Sequence, residues 1–291
     1  MQVFHGLVGL KTHCKLTLVG RKEEGGVRQY AHLGTGNYNP ITAKLYTDIS
    51  LLTADPDITS SVHDLFNFLT AYAEKPSYDP LLVAPLHLAE DTVNLISREA
   101  EHARAGRPAR MIIKVNSLLD RTIIAELYKA SQAGVEIDLI VRGMCALNPG
   151  VKGVSDRIRV RSIVGRFLEH SRIFYFENGG SPDIYLGSAD WMPRNLYERV
   201  EVLFPIRDPL LRARIQEEII PAYLADNAKS RILERDGRYV RPRLESRAAL
   251  FNAQEFLIKV AEGVADPRDI PQPIKRRGTR TRTRKPTRQT R

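Results

Sequence analysis

Two segments of the chain carry the same pattern of a histidine, a small residue, a base and an aliphatic: His13-Cys14-Lys15-Leu16 and His170-Ser171-Arg172-Ile173. In an extended strand alternate side chains share a face, so His13 projects with Lys15 and His170 with Arg172. Each segment is followed by a second matching block. One is Leu33-Gly34-Thr35-Gly36-Asn37-Tyr38-Asn39-Pro40 and the other is Leu186-Gly187-Ser188-Ala189-Asp190-Trp191-Met192-Pro193. A third echo, Leu45-Tyr46 against Leu196-Tyr197, stands before a predicted buried strand in both. Three blocks repeated in one order read as two copies of a unit that face each other.

A lone imidazole beside a base on a strand is ordinary surface charge. Two of them facing one site suit phosphoryl transfer. One neutral imidazole, His13 or His170, can attack phosphorus and become phosphohistidine. The other can act as acid or base near neutral pH, or stabilise charge. Lys15, Arg172 and Asn37 would hold phosphate oxygens, and the Gly34-Thr35-Gly36-Asn37 turn would let the backbone approach an anion. His5, His32, His63, His87 and His102 lack such pairing and read as loop, core or surface residues. No G-x-x-x-x-G-K-[ST] segment occurs, and no kinase-type glycine loop stands ahead of a V-A-I-K strand. Those two nucleotide-binding devices are therefore excluded.

The elements that position these residues follow from periodicity. Strands are predicted at 13–19, 27–33 and 48–52, and a helix from Asp55-Pro56-Asp57 to about Tyr72 carries Ile58, Val62, Leu65, Phe66 and Leu69 at helical spacing. Lys75-Pro76-Ser77 ends that unit. In the second, strands are predicted at 81–84, 111–115, 135–141, 157–164, 171–176, 184–187 and 199–204. Helices are predicted at 86–104, 120–133, 208–224 and 244–260. This is an α/β, mixed α+β pattern. The expected domains are 1–79, 80–260 and a Pro-containing linker with a basic tail, 261–291. Pattern begins almost at Met1, so we expect a chain that opens part-way through a larger unit.

Charge divides along the same lines. The net charge is +10 over 291 residues. Nine basic residues and no acids fall between Gln272 and Arg291, leaving the rest of the chain with a single excess positive charge. The body is thus not marked as a nucleic-acid binder. The tail, rich in Thr and Arg, is expected to be disordered, and it reads either as a solubilising extension or as a grip on polyanions. Cys14 and Cys145 have no metal-ligand spacing, no metal site is read, and a reduced intracellular setting is the simplest reading. Neither a signal peptide nor an apolar run of about 18 residues is present. A cytoplasmic protein is expected, compatible with peripheral contact with a membrane.

The duplicated H-x-K and G-[ST]-x-N blocks resemble the phospholipase D superfamily, with departures. Gly20 and Glu177 stand where that family carries an Asp five residues after the base, and Arg172 and Asp190 replace Lys and Asn in the second copy. The runs 6–16, 30–55, 139–147, 167–180 and 185–195 resemble polyphosphate kinase in its long, histidine-phosphorylating form. The resemblance implies two phospholipase-D-like catalytic domains and reversible transfer of the ATP terminal phosphate to polyphosphate through phospho-His13, with magnesium accompanying the nucleotide. It places Tyr46, Arg142 and His170 at nucleotide or phosphate contacts, and it implies ATP, ADP and polyphosphate as partners and a homo-oligomer for the full-length family. That family's chain also carries an N-terminal helical domain, a head domain and the front of the first catalytic domain. Two other readings stand beside this one: a phospholipase-D-like phosphodiesterase or nuclease, and a non-catalytic polyphosphate-binding fragment that needs a partner chain.

Overall fold

The structure is a computed structural model, and it describes residues 2–71, 73–242 and 249–271. The first half runs β1 (Lys11–Thr12), β2 (Lys15–Glu23), β3 (Gly26–Gly34), β4 (Tyr46–Thr47), β5 (Ser50–Thr53) and α1 (Pro56–Ala71). The second begins β6 (Leu82–Ala84), α2 (Leu88–Arg104), β7 (Arg110–Val115), α3 (Arg121–Ala133), β8 (Glu136–Val141) and β9 (Ile158–Ile163). It continues β10 (Leu168–Glu169), β11 (Ile173–Phe176), β12 (Asp183–Gly187), α4 (Pro193–Tyr197) and β13 (Arg199–Pro205). The last elements are α5 (Pro209–Arg214), α6 (Ile220–Ala225), β14 (Ser230–Leu233), β15 (Tyr239–Val240) and α7 (Ala253–Ala261).

Local chemistry sets most boundaries. Asp120 caps α3 by accepting from Ile123 N at 2.9 Å, and Gly134, at φ 112°, closes it in the left-handed conformation. The helix expected over 208–224 divides into α5, a π-type turn at Ile215–Ile219, and α6. Pro221 has no N–H for the regular ladder, and the widened turn precedes it. Of the helix expected over 244–260, the described residues 249–252 are not helical and α7 starts at Ala253, where the Asn252 side chain caps it by accepting from Gln254 N at 3.1 Å. Its expected front, 244–248, lies outside the described residues, as does the basic tail from 272 onward.

The sheets are mixed. β2, β3 and β5 form a three-stranded antiparallel sheet under α1, and the second half builds a large sheet in the order β1-β13-β12-β11-β7-β8-β9-β14-β15, with β6 also on β13. β7, β8 and β9 are parallel, with α3 joining β7 to β8 and a loop joining β8 to β9. The repeat is visible in register. Leu16 pairs Leu33 and Leu33 pairs Leu51 in the first half; Ile173 pairs Leu186 and Leu186 pairs Phe204 in the second. β1 belongs to the first half by sequence but pairs with β13, and β10 reciprocates by pairing with β4. One apolar core continues across both halves, from Leu33, Val62 and Leu65 to Ile173, Val202 and Phe204. Among the described residues, no helix is long and apolar enough to cross a membrane.

Candidate active site

Each histidine lies just beyond one of these exchanged strands. His13 N and Cys14 N both donate to Val200 O, at 2.9 and 3.0 Å, so β2 starts at Lys15 rather than at the predicted His13. His170 N and Ser171 N donate likewise to Thr47 O, at 3.2 and 2.8 Å. Val200 is followed by Glu201, and Thr47 by Asp48. Register therefore delivers to each histidine a carboxylate from the opposite half. His13 Nδ1 lies 2.8 Å from Glu201 Oε2, and His170 Nδ1 lies 2.7 Å from Asp48 Oδ1.

The carboxylates are themselves held by matched residues. Thr35 Oγ1 donates to Asp48 Oδ1 at 2.7 Å, and its counterpart in the repeat, Ser188, donates to Glu201. Asn195 Nδ2 adds a bond to Glu201 Oε1 at 2.5 Å. Gly36 is needed for this approach, since a Cβ there would stand 2.2 Å from Asp48 Oδ2. A carboxylate at Nδ1 selects the tautomer with the proton on Nδ1 and the lone pair on Nε2. His13 thus keeps a free nucleophilic nitrogen at a side chain that is 18% exposed. Burial lowers the pKa of His170 despite Asp48, so it is a neutral imidazole at pH 7.

Cations complete the site. Lys15 is buried and donates to His13 O; burial, only partly offset by Glu201, lowers its pKa to about 8. The ring centroid of Tyr46 is 5.0 Å from that of His170. Arg142 is half-buried and holds Glu169 O at 3.0 Å through Nη1. Groups of both halves meet in one charged cluster, because Arg172 donates to Thr35 O at 3.2 Å while Thr35 Oγ1 and His170 Nδ1 both bond Asp48. Cys14 is no rival nucleophile, because burial and then Glu201 raise its thiol to about 12.

Two expected phosphate ligands are placed differently from the rest. Arg172 is 3% exposed and gives its donors to Asp190 (3.1 and 3.3 Å), Thr35 O (3.2 Å) and His170 O (2.9 Å). The two departures in the second copy therefore compensate each other as an Arg–Asp pair within the second half, and the bond from Arg172 to Thr35 O ties the halves together. Burial raises the carboxyl of Asp190, but Arg172, the Asn116 N–H and His170 together outweigh it and hold it below the usual carboxylate range. Asn37, by contrast, is exposed. Sequence reasoning missed Asp48 and Glu201. Both stand two residues before the positions, Ser50 and Leu203, that pair with the matched glycines Gly34 and Gly187. The spacing from Tyr46 to Asp48 is two residues shorter than from Tyr197 to Glu201, which hid the match.

The family model described as polyphosphate kinase C-terminal domain 2 matches residues 81–254, and that described as C-terminal domain 1 matches residues 1–75. The chain belongs to the polyphosphate kinase family. A polyphosphate kinase of Synechocystis is 52% identical over 92% of this chain and 37% of its own length. One of Streptomyces coelicolor is 51% identical over 88% of the chain and 34% of its own. The crystal structure of polyphosphate kinase from Porphyromonas gingivalis superimposes with a TM-score of 0.82 at 40% identity, covering 88% of this chain and 39% of that one. The chain thus spans about a third of the length of the curated polyphosphate kinases it matches.

Proposed function

We propose that this chain carries the phosphoryl-transfer centre of a polyphosphate kinase, with His13 as the nucleophile. The crossed histidine–carboxylate pairs support this reading most directly. His13 Nε2 attacks the terminal phosphorus of ATP, a P–N bond forms, the P–O bond to ADP breaks, and ADP leaves. The terminal oxygen of a polyphosphate chain then attacks the phosphohistidine; the new P–O bond forms as P–N breaks, and His13 returns neutral. Glu201 stabilises the imidazolium character that develops in each attack. Lys15 and Arg142 balance charge on the moving phosphoryl group, and Tyr46 lies beside His170 to receive the nucleotide. His170, neutral and with Nδ1 held by Asp48, accepts a proton from the accepting phosphate when that phosphate is protonated. Magnesium enters with ATP as part of the substrate, since Asp48 and Glu201 are already committed to histidines. A cytoplasmic setting and assembly with further copies belong to the same reading.

The test is incubation with γ-labelled ATP and magnesium, followed by mass spectrometry for an acid-labile, base-stable label. Label is expected on His13, absent in His13→Ala and slower by roughly 10²-fold in Glu201→Gln. A labelled His13→Ala protein would exclude His13 as nucleophile. Hydrolysis of a phosphodiester by unlabelled protein would favour phosphodiesterase chemistry instead.

A further inference from the structure

The residue before His170 is a buried carboxylate with no counterpart in the first copy, where Thr12 stands in its place. Glu169 is 2% exposed. Its Oε2 accepts from Thr47 Oγ1 at 3.0 Å and pairs with Lys114 Nζ at 2.9 Å. Lys114 also donates to Ser171 O and Oγ, at 3.0 and 2.8 Å, so one buried ion pair grips the residues on both sides of His170. The remaining oxygen, Oε1, accepts from Gln254 Nε2 at 2.6 Å. That amide also bonds Phe167 in both directions, with Phe167 N to Oε1 and Nε2 to Phe167 O at 2.9 Å each. It thereby acts on β10 as a neighbouring strand would. Gly165 leaves room for it, because a Cβ there would meet Gln254 Oε1 at 2.4 Å.

We infer that Gln254, at the head of α7, is a positioning residue for the His170–Asp48 pair, acting through Glu169. The chain of contacts is short. Gln254 fixes Glu169, Glu169 fixes Thr47 across the β10–β4 pairing, and Thr47 and Glu169 are the immediate neighbours of Asp48 and His170. An amide suits the place because a second carboxylate would repel Glu169 and an apolar residue would leave Oε1 short of a donor. Burial raises the carboxyl of Glu169, but Lys114 and the bonds from Gln254 and Thr47 outweigh it and keep it ionised.

The experiment reads His170 directly and does not depend on kinase activity, although the role assigned to His170 rests on the reading above. Protein labelled with 15N-histidine is titrated by NMR as wild type, Gln254→Met and Leu257→Ala. Met keeps the volume and removes the donor. Leu257, packed on the core from the same helix, reports loss of stability alone. Asp48 is the main group raising His170, while Arg172 opposes it and Asp190 also raises it. Loosening the Asp48 bond in Gln254→Met is therefore expected to lower the His170 midpoint by roughly half a pH unit and to leave His13 unmoved. An unmoved His170 in Gln254→Met, or an equal shift in Leu257→Ala, overturns the inference. If Gln254→Met does not fold, Gln254→Asn, which keeps the amide and shortens its reach, reads the same titration. Labelling of His13 from γ-labelled ATP is followed in parallel. An unlabelled wild type together with a His170 shift removes the kinase reading and leaves this one standing.

Discussion

At the scale of single residues, the two copies of the repeat are chemically unequal. The first has a lysine whose pKa is drawn down to about 8 and which donates to the His13 carbonyl. The second has an arginine locked to Asp190. Lys15 is thus the cation whose charge is lost near neutral pH. With a folded pKa below the unfolded value of 10.5, its stabilising contribution is full above 10.5 and lost as pH falls through about 8. On the proposed function, phosphate binding has the opposite sign, because it would draw on the ammonium. Polyphosphate binding, followed by calorimetry, is expected to weaken about tenfold as pH rises from about 7 to about 10. Lys15→Arg should remove the dependence, and a dependence unchanged in that variant would assign the titration to another group. His13, Lys15 and His170 stood out in the sequence through the repeat, and Tyr46 and Arg142 only through the family resemblance; the structure brings Tyr46 beside His170. Arg172 was legible as a base but not as a tie between the halves, since the acceptor that makes it one is a backbone carbonyl, Thr35 O, in the other copy.

At the scale of elements, the duplication places the chemistry through backbone pairing. The hairpins β2–β3 and β11–β12 pair the matched residues in the same register, and the exchanged strands β1 and β10 bring each histidine to the other half's acid. Gly187 lets β12 lie close to β13. A Cβ there would meet Val202 O at 2.3 Å and Leu203 Cα at 2.9 Å, both backbone atoms that cannot swing away. Gly187→Ala is expected to cost about 1–3 kcal/mol, a fall of roughly 3–10 °C in Tm. It should also slow His13 labelling, because Glu201 lies on the displaced strand. A variant with wild-type Tm would show that the strands have slack. Strand and helix identities came from period-2 and period-3.6 patterns, and boundaries slipped where one side chain decided them. Asn252 started α7 late, and the Val200 carbonyl claimed His13 N before β3 could.

At the scale of the whole molecule, the halves share one core although the sequence divides them near Lys75-Pro76. Val62 on α1 and Val202 on β13 belong to the same apolar cluster; the second half has a further core of its own, but the first half buries its apolar face only against the second. Scanning calorimetry of the chain is expected to give a single cooperative transition, lowered throughout by Val62→Ala, a large-to-small change at a position with 0% exposure. Two separable transitions would restore the picture of independent domains. The duplication, the mixed α/β class and the pairing of His13 with His170 as repeated residues were determined by the sequence alone, because repeats and periodicity are properties of neighbours along the chain. Asp48, Glu201, Glu169, Lys114 and Gln254 were decided only by tertiary structure. Their partners lie far away in sequence, and a buried carboxylate gains its role from the donor that folding brings to it, which no local pattern records.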